Sequence, residues 1–288
     1  MLQNLFNYPF LVKNLDYILT DKEKINIISL NKFFNDKRTK FRYVKKIKIR
    51  EENQNDWYIN CLINVVIYDR IKLPSNLLSL KIEGNFNIRN YIPNSVVILK
   101  FGHHFNQSID NCIPNSVIFL TFGNNFNQSI KNGIPNSVTH LKFGWNFNKK
   151  INKNCLPDSL KHLRFGKCFN RGISFSIPNS VELLEFGFDF NQPIENGIPN
   201  SVKYLKFDTH FNQDIENNIP NSVKYLVLGA YFDYSINLLP DSIKFLQLDS
   251  FHMHEITRLP SNLKTFRTPE FQISNLTTQE FMNYYNNN

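Results

Sequence analysis

The chain of 288 residues contains a single alanine, Ala230, and only 3 methionines and 10 glycines. Alanine is the best helix former and asparagine, present 43 times, is a poor one, so the composition argues against a mainly α-helical protein. No apolar run approaches the ~18 residues that a membrane span needs. The N-terminus also lacks the basic stretch and apolar core of a signal peptide. We therefore expect no membrane association and a cytoplasmic location.

Cysteine is scarce as well, with four residues at Cys61, Cys112, Cys155 and Cys168. None of them forms a Cys-x-x-Cys pair or has histidine at zinc spacing, so we expect reduced thiols and no metal site. Phosphate-binding glycine loops, Gly-x-Ser-x-Gly and His-Glu-x-x-His are absent. The sequence therefore predicts no catalytic residues, no cofactor and no enzymatic activity.

An internal repeat dominates the rest of the sequence. Its unit reads Ile-Pro-Asn-Ser-Val-x-x-Leu-x-Phe-Gly-x-x-Phe-Asn-x-x-Ile, and ten units follow one another at intervals of 19 to 22 residues. A constant period of this length is typical of a solenoid. The prolines that mark the units are Pro74, Pro93, Pro114, Pro135, Pro157, Pro178, Pro199, Pro220, Pro240 and Pro260.

The spacing within a unit predicts its secondary structure. In one clear copy, Val202, Leu205 and Phe207 follow the pattern Leu-x-x-Leu-x-Leu, and the last two alternate as on one side of a strand. The predicted fold class is a mainly β solenoid with one parallel strand per ~21 residues, preceded by a short α-helical segment. Too few residues remain for a return helix, so we expect an irregular or 3₁₀-like outer wall. Ten strands at ~4.8 Å give a length of roughly 45–50 Å.

Polar and small residues recur at fixed places in the unit. Asn200 and Ser201 are expected to bond nearby backbone at the bend before the strand. The glycines after the strands are expected to allow a sharp turn, as at Gly166. One asparagine per unit is expected either to satisfy backbone groups of adjacent coils or to act as an exposed turn former. These asparagines are Asn106, Asn127, Asn148, Asn170, Asn191 and Asn212.

The unit resembles the FNIP repeat through segments such as Phe105-Asn106-Gln107-Ser108-Ile109. FNIP repeats in turn resemble leucine-rich repeats, and Leu239-Pro240-Asp241-Ser242-Ile243 shows the overlap. The resemblance spans residues 71–270 and implies a curved solenoid used for protein binding. Residues 41–70 are interpreted as degenerate first turns. Residues 271–288 are interpreted as a C-terminal cap and tail.

Residues 1–40 are predicted to form two short helices, the second beginning with the capping-box spacing of Thr20 and Glu23. This segment resembles an F-box, which docks on the Skp-type adaptor of cullin ubiquitin ligases. An F-box before FNIP repeats is a pairing of amoebal and giant-virus proteins. The alternative is a helical cap that seals the end of the solenoid. By the resemblance, the adaptor-binding residues are Leu11, Leu15, Leu19 and Ile25.

The net charge is +9, and the segment 37–50 holds eight basic residues and no acidic one. Such a run attracts nucleic acid or an anionic surface. Its alternative interpretation is the solvent-exposed side of a strand, because Val44, Ile47 and Ile49 are interleaved with the lysines. Nucleic-acid binding is the less favoured of these readings.

The two positions flanking the buried leucine of each strand are expected to face the concave side of the coil. One series is aromatic or apolar and the other is mostly basic, which suits a binding surface for an acidic protein segment. The alternative is a ladder that only stabilises the sheet through cross-strand packing. His140 and His162 share a slot and are expected to be neighbours at ~4.8 Å. The predicted partner-binding residues are Phe119, His140, His162, Tyr204, Tyr225, Phe245, Lys100, Lys142, Arg164 and Lys206.

Overall fold

The computed structural model describes residues 47–48, 64–70, 72–73, 75, 77–250, 256–269 and 272–274. Within them, thirteen short strands form one sheet in chain order. The strands are β1 (Ile47–Lys48), β2 (Asn64–Ile67), β3 (Ser79–Ile82), β4 (Ile98–Phe101), β5 (Phe119–Thr121), β6 (His140–Lys142), β7 (His162–Arg164), β8 (Leu183–Glu185), β9 (Tyr204–Lys206), β10 (Tyr225–Leu228), β11 (Phe245–Leu248), β12 (Thr265–Arg267) and β13 (Gln272–Ser274).

Neighbouring strands from β1 to β12 are parallel, and β13 alone pairs antiparallel, with β12. Each of the ten units supplies one strand from β3 to β12, and the register aligns equivalent residues, as in Leu205 opposite Leu226. The predicted parallel solenoid is confirmed. β1 and β2 extend the same sheet within residues 41–70. The predicted helices of residues 1–40 lie outside the described residues, among which no α-helix occurs.

Each coil closes through reverse turns instead of a helix. In one coil the N–H of Phe126 donates to Gly123 O at 3.3 Å, and Val138 N–H donates to Pro135 O at 3.1 Å. Turns and bends make up the outer wall of the described coils, and no 3₁₀ segment occurs among them. The irregular alternative for the outer wall is therefore the correct one. The described residues contain no helix long and apolar enough to cross a membrane.

Two files of phenylalanine rings fill the centre of the solenoid. In six consecutive coils one ring from the strand end stacks on one from the outer wall, as Phe186 does on Phe190 at 4.0 Å between centroids. Both side chains are at most 2% exposed. The strand-side file comprises Phe101, Phe122, Phe143, Phe165, Phe186 and Phe207, and the outer file comprises Phe105, Phe126, Phe147, Phe169, Phe190, Phe211 and Phe232.

The spacing of these two files shows which way the solenoid bends. Consecutive rings lie 5.2–5.7 Å apart in the strand-side file. In the outer file they lie 6.0–6.3 Å apart. The coils are therefore farther apart at the outer wall than at the sheet, and the sheet occupies the concave side, as predicted.

The glycines after the strands have a different role from the one expected. No described glycine has a positive φ. Instead, a Cβ at Gly166 would lie 1.7 Å from the carbonyl oxygen of Gly144 in the preceding coil, and a Cβ at Gly144 or Gly187 would lie 2.0 Å from the equivalent oxygen. Glycine is required here because adjacent backbones touch, and this contact allows the coils to approach closely on the concave side.

Among the described residues, positive φ angles occur mostly at asparagine, three residues before a proline of the repeat. This row contains Asn90, Asn111, Asn132, Asn154, Asn196 and Asn217, with φ between 49° and 66°. Asparagine tolerates this left-handed conformation better than other non-glycine residues. Phe175 occupies the same place with φ 54° and with its side chain 68% exposed. One coil is therefore strained at its outer corner, with little burial in return.

Asparagine and serine side chains tie each coil to the preceding one. Asn127 N–H donates to Asn106 Oδ1 at 2.9 Å, and the same contact repeats along the row to Asp233 at 2.9–3.1 Å. The expected ladder is confirmed, although its asparagines are half-buried. The prediction that Ser201 bonds backbone within its own bend was wrong. Ser201 Oγ donates at 2.6 Å to Val181 O of the preceding coil, and not to its own bend.

Candidate functional site

Three columns of side chains cover the concave sheet face. In each coil the two residues that precede the buried leucine and the one residue that follows it point away from the core. The central column is Ser79, Ile98, Phe119, His140, His162, Leu183, Tyr204, Tyr225, Phe245 and Thr265. The strand-end column is Lys81, Lys100, Thr121, Lys142, Arg164, Glu185, Lys206, Val227, Gln247 and Arg267. The strand-start column is Leu78, Val97, Ile118, Thr139, Lys161, Glu182, Lys203, Lys224, Lys244 and Lys264.

Aromatic rings at neighbouring positions of the central column lie beside one another across the strands. Tyr204 lies 6.4 Å from Tyr225, and Tyr225 lies 6.2 Å from Phe245, between ring centroids. Phe119 lies 4.6 Å from His140. The structure thus places the predicted aromatic residues in one row. Each is half-buried by its neighbours, so the row exposes less apolar area than the sequence suggested.

His140 and His162 pair across β6 and β7, as expected, with ring centroids 4.1 Å apart. Loss of hydration, reinforced by the neighbouring His162, holds the pKa of His140 well below its usual range. Nδ1 of His140 lies 2.7 Å from Thr139 Oγ1. At neutral pH the ring is therefore uncharged, and it packs as an aromatic member of the central column.

The strand-end column is basic but is interrupted by one acid. Arg164 Nε lies 3.0 Å from Oε2 of Glu185, whose side chain is 5% exposed. Loss of hydration and the charge of Arg164 lower the pKa of Lys142. Loss of hydration, together with Glu185, raises the pKa of Tyr204. Arg164 is therefore paired with an acid, and the strand-end column still holds more basic than acidic side chains.

The strand-start column was missed by the sequence reasoning, which followed only the slots next to the leucine. Its character changes along the solenoid, from apolar at β3–β5 to basic at β10–β12. In the middle, Glu182 accepts hydrogen bonds from Lys161 at 3.4 Å and from Lys203 at 2.6 Å. Reading the slot two residues before each leucine as a column would have found it.

A second surface missed by the sequence reasoning lies just beyond the strand ends, and we call it the strand-end rim. It consists of Trp145, Lys167, Phe188, His210 and Tyr231, in coils that follow one another. The Lys167 ammonium lies 5.5 Å from the Trp145 ring and 4.9 Å from the Phe188 ring. Trp145 and Tyr231 are 58% and 61% exposed. These residues occupy the two variable positions after the repeated glycine, so no recurring residue type marked this surface in the sequence.

The thiols and carboxylates of the described coils do not assemble a reactive centre. No group of three or more His, Cys, Asp or Glu side chains within the described ranges could hold one metal ion. Cys112, Cys155 and Cys168 are free thiols. Loss of hydration raises the pKa of the Cys112 and Cys168 thiols, which disfavours the reactive thiolate. Cys61, the predicted adaptor-binding residues and all of the basic run except Ile47 and Lys48 lie outside the described residues.

The family comparison agrees with this architecture. The FNIP Repeat family model matches seven overlapping segments of the chain, at residues 88–125, 105–146, 126–168, 147–189, 169–210, 190–231 and 211–251. These segments cover more than half of the sequence, and the chain belongs to the FNIP repeat family.

The chain is also similar to a solved structure, that of CroV588, described as a novel circular leucine-rich-repeat protein. The identity is 36%, the TM-score is 0.58, and the match covers 77% of this chain. It covers 42% of that chain, so this protein spans less than half of the length of CroV588. No curated protein sequence matches the chain.

Proposed function

We propose that the protein is a non-enzymatic binding module whose concave sheet face holds a segment of another protein. The observation that supports this most strongly is the row of half-exposed rings from Tyr204 to Phe245, which has lysines along its whole strand-start side and Lys206 on its strand-end side. Aromatic residues beside cations are typical of interface hot spots. The excess of lysine and arginine on the face favours an acidic partner.

Capture of partners from cells by the full chain tests this function. The variant Tyr204→Ala/Phe245→Ala removes two rings of the central column, and the matched control Tyr231→Ala removes an exposed ring of the strand-end rim. We expect the first variant to lose the captured protein and the control to keep it, with circular dichroism showing that both are folded. Loss in the control alone would move the binding surface to the rim. Capture unchanged in both would make the sheet face a structural ladder.

We further propose that the protein is a substrate receptor of a cullin-type ubiquitin ligase and acts in the cytoplasm, that of the host for a viral chain. The support is the F-box resemblance at residues 1–40, carried by Leu11, Leu15, Leu19 and Ile25. In this arrangement the solenoid binds the substrate and the N-terminal segment binds the Skp-type adaptor.

A pull-down with the purified adaptor tests the ligase proposal. Leu15→Asp should give a folded protein that no longer binds the adaptor. If residues 1–40 only cap the solenoid, we expect a different result. Leu15→Asp would then unfold or aggregate, and the unaltered chain would not bind the adaptor. Steeply salt-dependent binding to DNA by residues 37–50 would favour the nucleic-acid alternative.

A further inference from the structure

We infer that the strand-start column selects partners by a two-part pattern, in which an apolar stretch and an acidic stretch lie about ten residues apart. This inference rests on the proposed protein-binding function and assigns a specificity to it. It is carried by the change of the column from apolar to basic side chains along the solenoid.

The basic part consists of Lys224, Lys244 and Lys264, on three consecutive coils. The backbone N–H of Lys244 donates to Lys224 O at 2.8 Å, and Lys264 N–H donates to Lys244 O at 2.8 Å, so the three residues are immediate neighbours. All three side chains are exposed. Like charges on adjacent strands repel each other, which destabilises the free protein. An anionic partner removes that repulsion.

The same column shows what a lysine does when an acid is available. Two coils earlier, Glu182 lies between Lys161 and Lys203 and pairs with both. Among the described residues no acidic side chain pairs with Lys224, Lys244 or Lys264. Asp249, the acid that follows β11, is engaged on the strand-end side, where it accepts a hydrogen bond from Gln247 Nε2 at 2.7 Å. The partner would supply the missing carboxylates.

The apolar part lies at the other end of the column, at Leu78, Val97 and Ile118. These side chains are half-exposed on the same edge of the sheet as the lysines. They flank Ile98 and Phe119 of the central column and extend its apolar area. Val97 on the β4 coil and Lys244 on the β11 coil are seven coils apart, or about 34 Å at ~4.8 Å per strand. An extended segment of roughly ten residues covers that distance.

A protein segment fits this surface better than a nucleic acid does. A polyanion that followed the whole face would meet Glu182 and the buried Glu185 at its centre. Leu183 also interrupts the rings of the central column between His162 and Tyr204, so the face offers no continuous series of rings on which successive bases could stack. A segment that is acidic at one end only needs a basic surface at that end alone, and so avoids both problems.

Binding of synthetic peptides to the full chain tests the inference. The probe is a fluorescent peptide with the block Val-Leu-Ile-Val, six Gly/Ser residues and the block Glu-Asp-Glu-Asp, so that the centres of the two blocks lie about ten residues apart. Its controls carry serine in place of one block, or a spacer of two residues. Fluorescence anisotropy should show the complete peptide binding at least about tenfold more tightly than every control. Equal affinity for the complete and the short-spacer peptide would overturn the two-part pattern.

Charge reversal locates the acidic block on the protein. Lys224→Glu/Lys244→Glu should abolish the tenfold advantage, whereas the matched variant Lys131→Glu/Lys149→Glu, with two exposed lysines of the outer wall reversed, should keep it. An oligonucleotide of twenty thymidines that binds more tightly than the complete peptide would overturn the inference in favour of nucleic acid. If Tyr204→Ala/Phe245→Ala stops partner capture but Lys224→Glu/Lys244→Glu does not, the protein-binding function stands and this specificity is wrong.

Discussion

The side-chain oxygen Oδ1 of Asn191 accepts a hydrogen bond from the backbone N–H of Asn212, one coil further along, at 3.0 Å. The same oxygen accepts a second hydrogen bond from Nε2 of Gln213 at 2.8 Å. One asparagine oxygen therefore satisfies both a backbone and a side-chain donor of the next coil. This contact repeats along the solenoid, and with the left-handed turns it gives two structural roles to asparagine in a chain that has one alanine.

Replacement of Asn191 by alanine should lower the free energy of unfolding by about 1–3 kcal/mol, because it leaves the Asn212 N–H without its partner. Asn191→Asp keeps an acceptor oxygen in the same place and should cost less at neutral pH. Urea denaturation followed by circular dichroism measures both. Equal losses for the two variants would show that the hydrogen bond is not the stabilising contact.

Replacement of Phe175 by asparagine should stabilise the protein by about 1 kcal/mol. The residue has φ 54°, which costs most side chains roughly 1–2 kcal/mol, while its ring is largely exposed. The reciprocal change, Asn196→Phe, should destabilise by a similar amount. Thermal unfolding gives the comparison, and a lower melting temperature for Phe175→Asn would mean that the ring makes a contact that outweighs the strain.

Gly166→Ala should destabilise the protein by about 1–3 kcal/mol or more, because the new methyl group overlaps the Gly144 carbonyl of the preceding coil. Gly172 is the matched control, since a Cβ there meets no atom within 4 Å. Gly172→Ala should be neutral or slightly stabilising, through a smaller loss of backbone entropy. Comparable urea midpoints for the two variants would refute the close-approach explanation.

Protein stability should fall as the pH decreases below about 6.5. The folded state holds the pKa of His140 below its usual range, so the unfolded chain binds a proton in this window while the folded chain does not. His140 thus favours the folded state above the unfolded pKa, and this advantage is lost towards lower pH, at up to about 1.4 kcal/mol per unit. His140→Phe should flatten the profile relative to the exposed-site control His104→Gln. An unchanged slope would contradict the assignment.

The sequence predicted the solenoid, its concave sheet and the asparagine ladder, because each depends on a residue type that returns at one period. The sequence-based prediction failed at residues that contact the neighbouring coil but whose type also suits a local turn. Ser201 looked like a bend residue, yet it bonds Val181 of the preceding coil. Gly166 looked like a turn residue, yet its backbone approaches Gly144. Local sequence carries no record of such neighbours.

Only part of the concave binding face could be predicted, because the prediction depended on positions next to the repeated leucine. The central column and the strand-end column flank the leucine and were read directly, whereas Lys224 and Lys244 stand two positions before it, and Trp145 and Tyr231 stand in slots without a repeated residue type. Residues at variable positions form a continuous surface only when the coils are stacked, which the sequence of a single unit does not show. The pairing of Arg164 with Glu185, which reduces the positive charge of the face, likewise needed the register between strands.

Site-specific photo-crosslinking tests the binding role of the concave face most directly. The photoreactive amino acid p-benzoylphenylalanine would replace Tyr225 on the sheet face in one protein and Phe175 on the outer wall in another. After irradiation in cells, the account predicts covalent capture of one partner from position 225 and none from position 175. Capture of that partner from position 175 alone would contradict it.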